Sequence, residues 1–139
     1  KTEPLQSRKF YNFFKLIKKK KKADIVNDTD KRYPKDITYA INYINRHFEN
    51  DISIGEIAKG ANVSINTLER HFKKTLNISP YEYIKKKRLA NAVKLLSSGC
   101  TVYEASSQSG FSDYSNFIAL FKNTYGITPL KYKKSKHNL

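Results

Sequence analysis

An internal repeat constrains this chain more than any other feature. Ser53 followed by Glu56, and Thr101 followed by Glu104, are hydroxyl–acid pairs at the spacing of a helix capping box. The two pairs stand at an offset of 48 residues. Further along, Leu68 corresponds to Phe117, Phe72 to Phe121 and Pro80 to Pro129, all at an offset of 49. A stretch of roughly 30 residues therefore occurs twice. One residue is inserted in the second copy, and we place it at the start of the second copy's longer helix.

Each copy reads as a capped short helix, a tight turn and a capped longer helix. In the first, Ile54, Ile57 and Ala58 face inward, Asn62 takes a left-handed turn, and Ser64 caps a helix that buries Leu68, Phe72 and Leu76. In the second, Gly110 makes the turn and Ser112 caps a helix carrying Phe117, Phe121 and Tyr125. Ahead of them, Pro34 opens a helix over about 35–48 with a face of Ile37, Ala40, Ile41, Ile44 and Phe48. Ser79-Pro80 opens a long helix that stops near Gly99, and Thr128-Pro129 starts a final turn. The expected fold is all-α: two homeodomain-like helix-turn-helix units, 53–76 and 101–125, joined by a connector helix over 79–98, within a domain spanning 34–139.

Charge narrows the partner. With 27 basic and 12 acidic residues the net charge is +15, well beyond what solubility requires. Such an excess points to a polyanion, nucleic acid before an anionic membrane surface. The only cysteine, Cys100, excludes an internal disulfide and fits a reducing compartment. His47, His71 and His137 sit in separate elements and do not make a metal site. Neither a glycine-rich phosphate loop nor a nucleophile motif is present, so an enzyme is not expected, nor any cofactor. A protein-binding helical module and a non-specific basic nucleic-acid binder are the rival readings.

Residues 1–35 hold 12 of the basic residues against 4 acidic ones. Phe10, Phe13, Phe14 and Ile17 form an apolar stripe, followed by a run from Lys18 to Lys22 and a polar linker. With Lys1 first and no methionine, we read the chain as a piece of something longer, and 1–33 as the end of a sensing or dimerising domain. A membrane-surface helix or a basic DNA-clamping arm are the alternatives.

The stretch 37–134 resembles the DNA-binding domain of the AraC/XylS family of transcription regulators. The resemblance is carried by ISIGEIAKGANVSINTLERHFKKTLNISPYEYIKKKRLANAVKLL and by TVYEASSQSGFSDYSNFIALFKNTYGITPLKYKK, above all by GFSDYSNF and FKNTYG. It implies a seven-helix domain at promoters, usually an activator that engages RNA polymerase. A separate domain, outside this chain, would receive an effector ligand or a dimer partner. Two recognition helices would enter successive major grooves, about 34 Å apart along one face of B-DNA.

On the first recognition helix the outward residues are Ile65, Asn66, Glu69, Arg70 and Lys73. Arg70 can hold guanine by two hydrogen bonds, Asn66 can pair with adenine, and Glu69 can accept from cytosine or orient Arg70. His71 is read as packing. In the second copy the base-facing set is Tyr114, Ser115, Ile118 and Ala119, with Ala119 standing where the first has Arg70. The first unit is therefore expected to read and the second to clamp, with a preference for A·T-rich sequence. Phosphate contacts fall to Lys73, Lys74, Lys122 and Thr67, and to the helix starts at Ser53, Thr101 and Ser112. At least two of Lys85, Lys86, Lys87 and Arg88 are expected on a solvated face. Ala105-Ser106 and Ser109 replace apolar residues of the family pattern, which points to looser packing of the second unit.

Overall fold

The computed structural model describes residues 33–137, which form seven helices and, among the described residues, no strand. The expectations for residues 1–32 lie outside the described residues. The helices are α1 (Lys35–His47), α2 (Ile54–Gly60), α3 (Ile65–Leu76), α4 (Pro80–Ser97), α5 (Val102–Gln108), α6 (Tyr114–Tyr125) and α7 (Pro129–His137). They belong to two compact units that divide between Lys87 and Arg88.

In the first unit α1 follows Pro34, whose carbonyl accepts from the N–H groups of Ile37 and Thr38 at 3.1 and 3.0 Å. Its buried residues, Ile37, Ala40, Ile41 and Ile44, recur at helical spacing and pack on α2 and α3. Leu68 and Phe72 of α3 and Ile57 of α2 are fully enclosed with them. Phe72 meets Tyr83 of α4 edge to face at 5.5 Å. Burial raises the pKa of Tyr83, so it stays a neutral phenol whose hydroxyl points to Asn45 Oδ1 at 3.5 Å.

The cap residues do what their positions suggest, with one exchange of partners. Ser53 Oγ accepts the Glu56 N–H at 3.1 Å, but the Glu56 carboxylate takes the Ser53 hydroxyl (3.2 Å) and the Tyr43 hydroxyl (3.5 Å). The first pair is thus a half-formed box tied to α1. Thr101 and Glu104 make the full reciprocal box. Asn62 and Asn77 both hold φ +63°, a left-handed conformation that asparagine tolerates.

The second unit is built on Leu89, Ala92, Leu96, Ala105, Phe117 and Phe121. Its helix-turn-helix closes as the first does. Val63 N–H bonds to the Ala58 carbonyl, Phe111 N–H to that of Ser106, each at 3.1 Å. The cap of α6 corrects the sequence reading: it is Asp113, whose carboxylate accepts the Asn116 N–H at 2.9 Å, and not Ser112. Ser64 therefore corresponds to Asp113, and the exposed Ser112 is the inserted residue, lying in the turn ahead of the helix. The final turn extends into a nine-residue helix. Tyr132 holds it by packing on Phe121 at 6.1 Å and meeting the Ser97 hydroxyl at 3.1 Å. His137 adds a contact from Nε2 to the Leu96 carbonyl at 3.1 Å. Ser106 and Ser109 are buried; Ser109 Oγ accepts from Asn91 Nδ2 at 3.2 Å, so a hydrogen bond replaces part of the missing apolar contact.

Candidate nucleic-acid interface

Helix α3 divides cleanly into two faces. Leu68 and Phe72 are fully buried, while Asn66, Glu69, Arg70, Lys73 and Lys74 are exposed. Asn66, Arg70 and Lys74 follow one another at single-turn spacing, flanked by Glu69 and Lys73, so one strip carries a carboxamide, a guanidinium, a carboxylate and two ammonium groups. Ile65, at the first turn, is 46% exposed and adds an apolar tip. Thr67 is half-buried, and its hydroxyl accepts from Ser64 Oγ at 2.9 Å, so it is committed to the cap.

What holds this strip in place includes a bond that the sequence did not reveal. His71 Nδ1 lies 2.7 Å from Oδ2 of Asp36 on α1, and Asp36 is only 7% exposed. His71 does more than pack beside Phe72. It joins the turn that carries Arg70 to a buried carboxylate.

On α6, Tyr114, Ser115 and Ala119 are exposed, as are Lys122 and Ser112. Ile118 departs from expectation: it is half-buried and packs against the Leu89–Phe121 cluster. Leu120 does the same, because α6 carries a broader apolar face than α3. Ser53 and Thr101 are exposed, with their hydroxyls engaged in capping. The Thr101 backbone N–H, donating to Glu104 at 2.8 Å, holds that carboxyl below the usual carboxylate range. Tyr103 of α5, which no motif singled out, is 65% exposed and packs on Tyr114.

Lys85, Lys86, Lys87 and Arg88 are all half-buried, contrary to the solvated face expected for at least two of them. Two of the four charged ends find aromatic faces. The Lys85 ammonium stands 5.0 Å from the Tyr81 ring and that of Lys87 5.9 Å from Phe48. Burial lowers the pKa of Lys86; Glu82 opposes the shift and Lys85 adds to it. Among the described residues no cluster of histidine, cysteine and acidic side chains is suited to a metal. No described helix is long and apolar enough to cross a membrane.

Two faceted helices, each behind a capped short helix and a left-handed turn, are the arrangement of a helix-turn-helix in duplicate. The family model described as "Helix-turn-helix domain" matches residues 57–135. A solved transcriptional regulator from Chromobacterium violaceum, of the proteins containing an AraC-type DNA-binding domain, superposes with a TM-score of 0.68 at 28% identity, covering 73% of this chain and 91% of that one. The chain belongs to the AraC/XylS family. Within that AraC-type family it is 36% identical over 95 residues to an uncharacterized helix-turn-helix transcriptional regulator, YdeC, of Bacillus subtilis, covering 68% of this chain and 33% of that protein. It is 31% identical over 112 residues to the lactose operon transcription activator of Staphylococcus xylosus, covering 80% of this chain and 38% of that one. The chain thus spans between a third and two fifths of the length of these relatives. AraC-family members are transcription regulators, a class distinct from enzymes.

Proposed function

We propose that the chain is the DNA-reading part of a bacterial transcription activator acting in the cytoplasm, in which the units 53–76 and 101–125 each offer a recognition helix to a major groove of double-stranded DNA. The observation that carries this is the division of α3, with Leu68 and Phe72 fully buried and Asn66, Glu69 and Arg70 in solvent. Three side chains able to address base edges, beside Lys73 and Lys74 for phosphates, suit a groove better than a protein surface. Family membership and the +15 charge support the same reading.

The roles are unequal. Arg70, Asn66 and Glu69 read the first half-site. Tyr114, Ser115 and Ala119, with the exposed edge of Ile118, touch the second without a bidentate donor. Lys73, Lys74 and Lys122 anchor phosphates. The helix starts at Ser53 and Thr101, the Thr67 hydroxyl, and Ser112 in the turn ahead of α6 contribute less; capping occupies Ser53, Thr67 and Thr101. Activation through RNA polymerase, and control by an effector or dimer partner bound elsewhere in a longer protein, complete the proposal. The activator title of the Staphylococcus xylosus relative supports the first of these. Residues 1–33 then lead from the controlling part.

Selecting duplexes from a random pool, with the parent and with Arg70→Ala, tests the scheme. The parent should yield two half-sites about one helical turn apart, the first more sharply defined. Arg70→Ala should lose about 1–3 kcal/mol of discrimination at one base pair of the first half-site. An equal loss of affinity on every sequence, with discrimination intact, refutes Arg70 as the reader.

A further inference from the structure

We propose that Tyr103 and Tyr114 form a two-ring element that binds DNA in the second helix-turn-helix, Tyr114 lying on the DNA and Tyr103 bracing it and adding a contact of its own. The inference rests on the DNA-binding function proposed above. The two rings pack at 5.6 Å between centroids with a 54° tilt, yet Tyr103 is 65% and Tyr114 40% exposed. Large apolar surface left in water beside a ligand-facing helix marks an interface. Tyr114 is the first residue of α6, directly after the Asp113 cap, so this patch is continuous with the proposed reading face.

The repeat shows that the pair is not part of the scaffold. By the offsets of 48 and 49 residues, Tyr103 corresponds to Gly55 and Tyr114 to Ile65. In the first unit a Cβ placed on Gly55 would stand 3.8 Å from Ile65 Cδ1, so the same two positions also adjoin there. The first unit folds with a hydrogen atom and an isoleucine at this place, and two aromatic rings are therefore not needed to close the turn.

The chemistry fits a neutral contact to DNA. Ala119 replaces the arginine of the first copy, and Ile118 is turned partly into the core. Glu104 and Asp113 flank the rings, but each carboxylate is held by a capping N–H, at 2.8 and 2.9 Å. Uncharged rings suit such a place. Their faces can cover deoxyribose or a thymine methyl, and each phenol hydroxyl can donate to a phosphate oxygen.

The experiment uses the full chain and the duplex that it selects from a random pool, with affinity measured across a salt series. Tyr103→Ala should bind about tenfold more weakly, a loss within the range of an aromatic contact. The slope of log K against log salt should stay unchanged, since a neutral side chain displaces no counterion, whereas Lys122→Ala should reduce its magnitude by about 0.9. Combined with Tyr114→Ala, the loss should be smaller than the product of the two single losses. Alanine is the better helix former at an exposed site, and Tyr103→Gln, which also lacks the ring, should repeat the result. Parental affinity in both Tyr103 variants, or losses that multiply independently, would overturn the element while leaving DNA binding intact. A parent that selects no duplex would instead overturn the functional reading beneath it.

Discussion

Asp36 illustrates how a single residue is decided by its surroundings. A carboxylate at the second position of a helix is ordinarily a solvated group favoured by the helix dipole. Here it is 7% exposed and faces His71, 35 positions along the chain. Removing the imidazole leaves a buried acceptor without that partner, at a cost of about 1–3 kcal/mol. His71→Ala should lower the urea midpoint accordingly. A change below a few tenths of a kcal/mol would mean that water satisfies Asp36, His71 being itself 37% exposed along its side chain. The sequence offered His71 only as a neighbour of Phe72. A pair between two helices leaves no local spacing to read.

At the scale of elements, the sequence was most legible where its signals were local. Serine, threonine and aspartate ahead of a helix bond to an N–H three residues on, so Ser53, Ser64 and Thr101 could be assigned without a fold, and Asn62 from its tolerance of a left-handed turn. The one misplaced boundary, at Ser112, arose because Ser112 and Asp113 are both good caps in adjacent positions. Keeping the 49-residue offset through Ser64 points to Asp113, a clue present in the sequence all along. Asp113→Ala should therefore destabilise the protein by about 1 kcal/mol in thermal or urea unfolding, and Ser112→Ala by less than about 0.5. Equal effects would mean that the two share the cap. Helix α7 exceeded its expected single turn because its length is set by Tyr132 and His137 reaching Ser97 and Leu96.

For the molecule as a whole the dominant quantity is the net charge of +15, unevenly divided along the chain. If DNA is the partner, each neutralised phosphate releases counterions, and six to ten contacts imply a loss of roughly 10³–10⁵ in affinity between 50 and 200 mM salt. A filter-binding or anisotropy titration of the chain on its selected duplex should show that steep fall. Flat salt dependence would favour the protein-binding module instead. Not every lysine counts toward the slope, since only those that neutralise a phosphate release a counterion.

The order of residues alone is enough to establish a repeated, capped helix-turn-helix, an all-α and strongly basic domain, and the lack of an arginine counterpart to Arg70 in the second copy. Those properties follow from composition and from interactions three to five residues long, which the chain carries wherever it is placed. Tertiary structure decided the rest. It turned Ile118 partly into the core, buried Asp36 against His71, and set Ser109 on Asn91. It also brought Tyr103 onto Tyr114. Each of those outcomes depends on which faces of different helices meet, and helical periodicity says only that a residue has a face, not what will stand opposite it.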